Sequence, residues 1–108
     1  MLHINKYLFY NVCDKDIDLY NEIIDTIREE YTSTIHKLTN TQDCKQIRIL
    51  IYKLISTVSF CIYTNDECIY LCRSILQIPK LTPDFGLYKY YINLLINLDK
   101  EKILGYNI

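Results

Sequence analysis

The chain contains no tryptophan and no alanine, and of its 108 residues only two are glycine, two are proline and one is methionine. So little glycine and proline argues against a loop-rich β architecture, which uses both at its turns. No apolar run approaches the roughly 18 residues that a membrane span requires. The opening Met1-Leu-His-Ile-Asn-Lys-Tyr-Leu-Phe-Tyr10 has no small-residue cleavage site and does not read as a signal peptide. An excess of either charge is missing too: 12 basic and 13 acidic residues leave a formal net charge of −1, which favours neither nucleic acid nor an anionic membrane. There is no Gly-rich phosphate loop, no H-E-x-x-H and no G-x-S-x-G. Asp25, Glu29 and Glu30 lie close together, but such a group most often forms a solvated helix face. No enzymatic activity is expected.

What is present points to one helical domain spanning 1–108. Half of the residues are apolar, enough for a single modest core and too many for disorder. Tyr, Ile, Asn and Lys are heavily used, a bias of AT-rich genomes such as those of large DNA viruses or protozoa. The five cysteines (13, 44, 61, 68 and 72) are odd in number and lack the spacing of a disulfide framework. That usage suggests a reducing, cytoplasmic setting, which would be the host cytoplasm for a viral protein. Cys68 and Cys72 would share a helix face and, with His3 or His36, could bind zinc. With no C-x-x-C pair, buried thiols are the expected reading, with no metal or cofactor.

Apolar spacing of three and four places helices at about 16–38, 43–62, 67–77 and 83–104, after a short segment at 4–10 that is helix or extended arm. The expected inner stripes are Ile17, Tyr20, Ile24, Ile27, Tyr31, Ile35 and Leu38, then Ile47, Leu50, Ile51, Leu54, Val58 and Cys61. They continue with Cys68, Ile69, Cys72, Ile75 and Leu76, and end with Leu87, Tyr91, Leu94, Leu95 and Leu98. Asp14 or Asp16 and then Asp43 are candidate caps, Thr82-Pro83 a candidate helix start, and Gly105 a candidate terminating glycine. Short connections make an all-α, up-down four-helix bundle the expected fold.

The segment from Asp43 to Ser56 resembles the active helix of histidine-containing phosphotransfer domains, in which an aspartate opens the helix and H-x-L-K-G follows. Asp43, Ile47, Leu50, Ile51 and Leu54 fit that pattern, but Tyr52 stands at the histidine, Ile55 at the lysine and Ser56 at the glycine. The glycine usual ten residues later is Ile62. The resemblance implies the bundle without the relay chemistry. A phenol loses its proton only near pH ~10, so it is a poor nucleophile at neutral pH without an adjacent base. Ile55 cannot steady a phosphate. His36 also begins an H-x-L, but Thr39-Asn40-Thr41 follows and ends the helix too soon, so it is expected to face solvent.

With Ile51 inward, Lys45, Ile49, Lys53, Ser56 and Phe60 point outward, with Tyr52 and Tyr63 at the edge of that face and Arg48 nearby. These eight residues form the candidate partner-binding site, an apolar and aromatic patch with a basic rim of Lys45, Arg48 and Lys53. A protein partner is expected. The resemblance names a receiver domain or histidine kinase, while a homodimer, or cover by the N-terminal Tyr7–Tyr10, would use the same face. The functional expectation is a non-catalytic decoy or modulator of a two-component phosphorelay. The alternatives are a homo-oligomeric adaptor unrelated to phosphorelay and a small metal-binding or catalytic bundle.

Overall fold

A computed structural model describes residues 4–59, 67–99 and 103–108. Among these the chain is all helical: α1 spans Ile17–Asn40, α2 Cys44–Ser59, α3 Glu67–Leu76 and α4 Phe85–Ile96, preceded by a π-helical turn at Leu8–Val12. Each helix packs on the next in sequence, and α1 also touches α4. The bundle is elongated, 47 × 23 × 23 Å, as expected when a 24-residue helix, about 36 Å long at ~1.5 Å per residue, sets its length.

The helix starts follow from side-chain chemistry. Asp16 accepts the Leu19 N–H at 3.0 Å and Asp43 accepts the Lys45 N–H at 3.0 Å. Each carboxylate satisfies a donor that the first turn leaves unpaired and complements the positive end of the helix. The last helix is capped differently from the expectation at Thr82-Pro83. Asp84 accepts the Leu87 N–H at 3.1 Å, so the helix begins at Phe85. It also ends early, with Asn97 as its C-cap. Ile103 and Leu104, beyond its end, are both buried in the core.

The main core joins all four helices through Ile27, Tyr31, Ile47, Leu54, Ile75 and Leu95, among others. At roughly 1.5–3 kcal/mol for each fully buried large apolar side chain, this is the main stabilising contribution. Most of the expected inner stripes are buried or packed against the core; Cys61 lies outside the described residues, and three positions, Ile17, Leu87 and Leu94, are exposed. Ile17 is exposed, because it precedes the first turn that packs. On α4, Leu87 and Leu94 face outward while Tyr88, Ile92 and Leu95 are buried. Nine of the twelve α4 residues are apolar or aromatic, so hydrophobic spacing permits either rotation of the helix; packing against α3 selects one.

A second, smaller core gathers Leu8, Cys13, Tyr20 and Ile24. The N-terminal segment is therefore helical, not an extended arm. Asp14 and Lys15, both at positive φ (49° and 65°), turn it into α1. Tyr20, fully buried, binds both ends of the chain. Its hydroxyl accepts the Asn5 N–H at 3.1 Å and donates to the Tyr106 carbonyl at 2.6 Å. Arg28 donates to the Gly105 carbonyl at 3.0 Å, and its guanidinium lies 5.6 Å from the Tyr106 ring centre. Gly105, at φ 94°, has no room for a side chain: a Cβ there would sit 2.9 Å from the Asn5 nitrogen.

Replacing Tyr20→Phe keeps the ring and removes both bonds. The variant should lose ~1–3 kcal/mol of unfolding free energy with its helix content unchanged, as read from urea denaturation followed by circular dichroism. An unchanged midpoint would mean that the hydroxyl does not hold the two ends.

Candidate functional site: the outer face of α2

Helix α2 buries Ile47, Leu50, Ile51, Leu54, Thr57 and Val58 and turns its opposite side outward. Lys45, Ile49, Tyr52, Lys53 and Ser56 are exposed on that side, as the helical spacing predicts. Ile49 is 51% and Tyr52 57% exposed, high values for large apolar side chains in mid-helix. Phe60 and Tyr63 lie outside the described residues. The N-terminal segment does not cover this pair. Leu8 and Val12 share a cleft of about 430 Å³ with Lys53, Ser56 and Thr57 of α2 and with Ile23 and Ile27 of α1.

Arg48 departs from its expected place on a basic rim. Its guanidinium donates to the Leu76 carbonyl at 2.9 Å and to the Ile78 carbonyl at 3.2 Å. Leu76 ends α3, where no intrahelical donor is left for its carbonyl, and Ile78 follows it in the connection to α4. Arg48 is half-buried and structural. The free cations of the face are Lys45 and Lys53, whose ammonium groups make no ion pair among the described residues.

The position of each phosphotransfer-like residue explains what chemistry is available. Tyr52 is accessible, and Ser56 behind it donates to the Tyr52 carbonyl at 3.1 Å. Ile55, where the resemblance would have a lysine, is partly buried against the core. Among the described residues no imidazole approaches Tyr52; His3 lies outside them. His36 faces solvent at the far end of α1, where the Asn40 amide donates to its carbonyl at 3.0 Å.

Of the thiols, Cys44 lies beside the face at the start of α2, and Cys61 lies outside the described residues. Cys68 and Cys72 are both fully buried on the inner side of α3. Their mutual hydrogen bond, then burial, raises the Cys72 pKa and holds that thiol protonated, whereas metal coordination requires a thiolate. No group of three or more potential metal ligands occurs among the described residues. No described helix is long and apolar enough to cross a membrane.

One residue beside the site carries no signal in the expected α4 stripe. Tyr88 is fully buried, and its hydroxyl makes no hydrogen bond among the described residues. It lines a second groove, of about 430 Å³, together with Cys44, Lys45, Ile49 and Tyr52 of α2 and Lys80 of the α3–α4 connection. The 88/92/95 spacing was available in the sequence, but it competed with 87/91/94.

No protein-family model, no curated protein and no solved structure matches this chain. The geometry of α2 is therefore the basis on which function is judged.

Two substitutions test this description. Arg48→Met keeps most of the stem and strands the carbonyls at the end of α3. It should cost ~1–3 kcal/mol in urea unfolding, with the earliest amide exchange in α3. Tyr88→Phe removes a buried hydroxyl that has no partner, so it should leave stability equal or raise it by ~1–2 kcal/mol. A large loss there would mean that the hydroxyl is bonded in solution.

Proposed function

We propose that this chain is a non-catalytic protein-binding module that presents the outer face of α2 to a protein partner. The observation that carries the reading is the adjacent exposure of Ile49 and Tyr52 in mid-helix, where a solvated bundle face should be polar. Exposed apolar patches of this kind mark contact sites. Aromatic residues with a nearby cation are common anchors in such contacts, and Lys45 and Lys53 favour an acidic partner surface.

The spacing from Asp43 to Leu54 supports one class of partner, a receiver domain or histidine kinase of a two-component phosphorelay. In that setting the chain acts as a decoy. Tyr52 stands at the docking position where the family has its histidine, and Ile55 where it has its lysine, so position by position the residues that pass phosphate on are replaced. A second reading is self-association, favoured by the exposed Leu87, Tyr90 and Leu94 along α4.

The deciding experiment titrates the wild type and Tyr52→Asp against a panel of receiver domains, with circular dichroism as the folding control. Micromolar or tighter binding by the wild type, weakened at least ~100-fold in the folded variant, is the expected outcome for a buried aromatic anchor replaced by a charge. Absence of binding across the panel removes the phosphorelay partner. Sedimentation then tests self-association: a dimer dissociated by Tyr90→Glu but not by Tyr52→Asp would assign the contact to α4.

A further inference from the structure

A formal net charge of −1 hides a separation of the two signs between neighbouring helices. Helix α2 carries Lys45, Arg48 and Lys53 and no acidic residue. Helix α1 carries Asp18, Glu22, Asp25, Glu29 and Glu30 against Arg28 and Lys37. Arg28 is turned to the Gly105 carbonyl, and Lys37 lies in the last turn. Asp18, Glu22, Asp25 and Glu29 follow one another at helical spacing, so they form one stripe. All four are exposed, opposite the buried Tyr20, Ile24, Ile27 and Tyr31. Asp25 accepts from the Asn107 amide at 2.9 Å. Asp18, Glu22 and Glu29 make no side-chain hydrogen bond or ion pair among the described residues.

Each stripe also carries exposed apolar side chains. Ile17 and Leu19 flank Asp18 on α1, as Ile49 and Tyr52 lie between Lys45 and Lys53 on α2. Lys80, which borders the groove beside Tyr52, adds a further exposed cation on the α2 side. The two faces are therefore chemical complements on one chain. Protein contacts match potentials of opposite sign, and like charges set against each other cost affinity. The α2 face cannot meet its own copy without opposing lysine to lysine, and the α1 stripe cannot meet its own copy without opposing carboxylates. Each can meet the other. Within one molecule α1 and α2 already pack side by side with these stripes turned to solvent, so the stripes meet only between molecules. Their dimensions agree: Lys45 and Lys53 are roughly 12 Å apart along α2 and Glu22 and Glu29 roughly 10 Å apart along α1, at ~1.5 Å per residue.

We propose that the outer face of α2 docks on the acidic face of α1 of a second copy. Lys45 and Lys53 of one copy oppose Glu22 and Glu29 of the other, and Ile49 and Tyr52 meet the apolar Ile17 and Leu19. The inference rests on the reading of α2 as a protein-binding face and names a second copy as its occupant. A two-fold dimer that makes the contact twice and a head-to-tail series both satisfy it.

The test is sedimentation of the reduced, full-length chain at low and high salt, with circular dichroism as the folding control. The wild type should associate at ~50 mM salt and at least ~10-fold more weakly at ~500 mM, where exposed charges are screened. An apolar contact through α4 would not weaken with salt. Lys45→Glu with Lys53→Glu, and Glu22→Lys with Glu29→Lys, reverse exposed side chains and should each give a folded monomer. An equimolar mixture of these two double variants should associate again, because the reversed α2 face of one meets the reversed α1 face of the other. A wild type still monomeric at ~1 mM chain and ~50 mM salt, association unchanged by either double reversal, or a mixture that stays monomeric would each overturn the proposal. A monomeric wild type that still binds a receiver domain through Tyr52 would remove the second copy as occupant and keep α2 as a protein-binding face.

Discussion

The guanidinium of Arg48 holds together the part of the fold that carries the candidate site. Helix α3 has ten residues, too few for a stable helix alone, since isolated helices shorter than ~12–15 residues are marginal in water. Its stability comes from packing Cys68, Leu71, Cys72 and Ile75 into the core and from the fork that Arg48 places on the Leu76 and Ile78 carbonyls. Those two bonds fix where the chain leaves α3. They thereby set the course of the connection through Lys80 and the point from which Asp84 starts α4. The groove between Tyr52, Lys80 and Tyr88 is a consequence of that placement.

The opposite end of the molecule is organised by Tyr20. Its hydroxyl is shared between the Asn5 N–H and the Tyr106 carbonyl, so segments 86 residues apart at one of these bonds are held by one atom. Ordering such distant segments costs conformational entropy, which the second core, Gly105 and Arg28 help to offset. The result keeps the N-terminal segment on α1 and off Ile49 and Tyr52. Closure of the chain ends and exposure of the α2 face are thus linked: a segment committed to Tyr20 cannot cover Tyr52.

Apolar exposure and unpaired polarity meet at one place. Ile49 and Tyr52 lie outside the core where water must be ordered around them, and Tyr88 lies inside it with an unbonded hydroxyl. Each arrangement opposes folding to a small degree, and stabilities of small domains are only ~5–15 kcal/mol. Local departures from the best folding choice tend to coincide with function. Apart from the buried Thr57, the rest of the described surface of α2 follows the ordinary pattern of inward apolar and outward polar side chains.

The sequence by itself determined the helical class, the start of α2 at Asp43, the start of α1 to within Asp14 or Asp16, and the rotation of α2 that exposes Lys45, Ile49, Tyr52, Lys53 and Ser56. These are local properties: a carboxylate caps the helix that begins beside it, and a helix with one apolar stripe has one way to face a core. Only the tertiary structure decided the rotation of α4, because a helix apolar on nearly all sides takes its orientation from its neighbour. The same holds for Arg48, whose acceptors lie 28 and 30 residues away, and for Tyr20, whose partners are the two ends of the chain. Spacing along a sequence records which side chains share a face, but it does not record which distant backbone groups are left unpaired. That is settled when the elements meet.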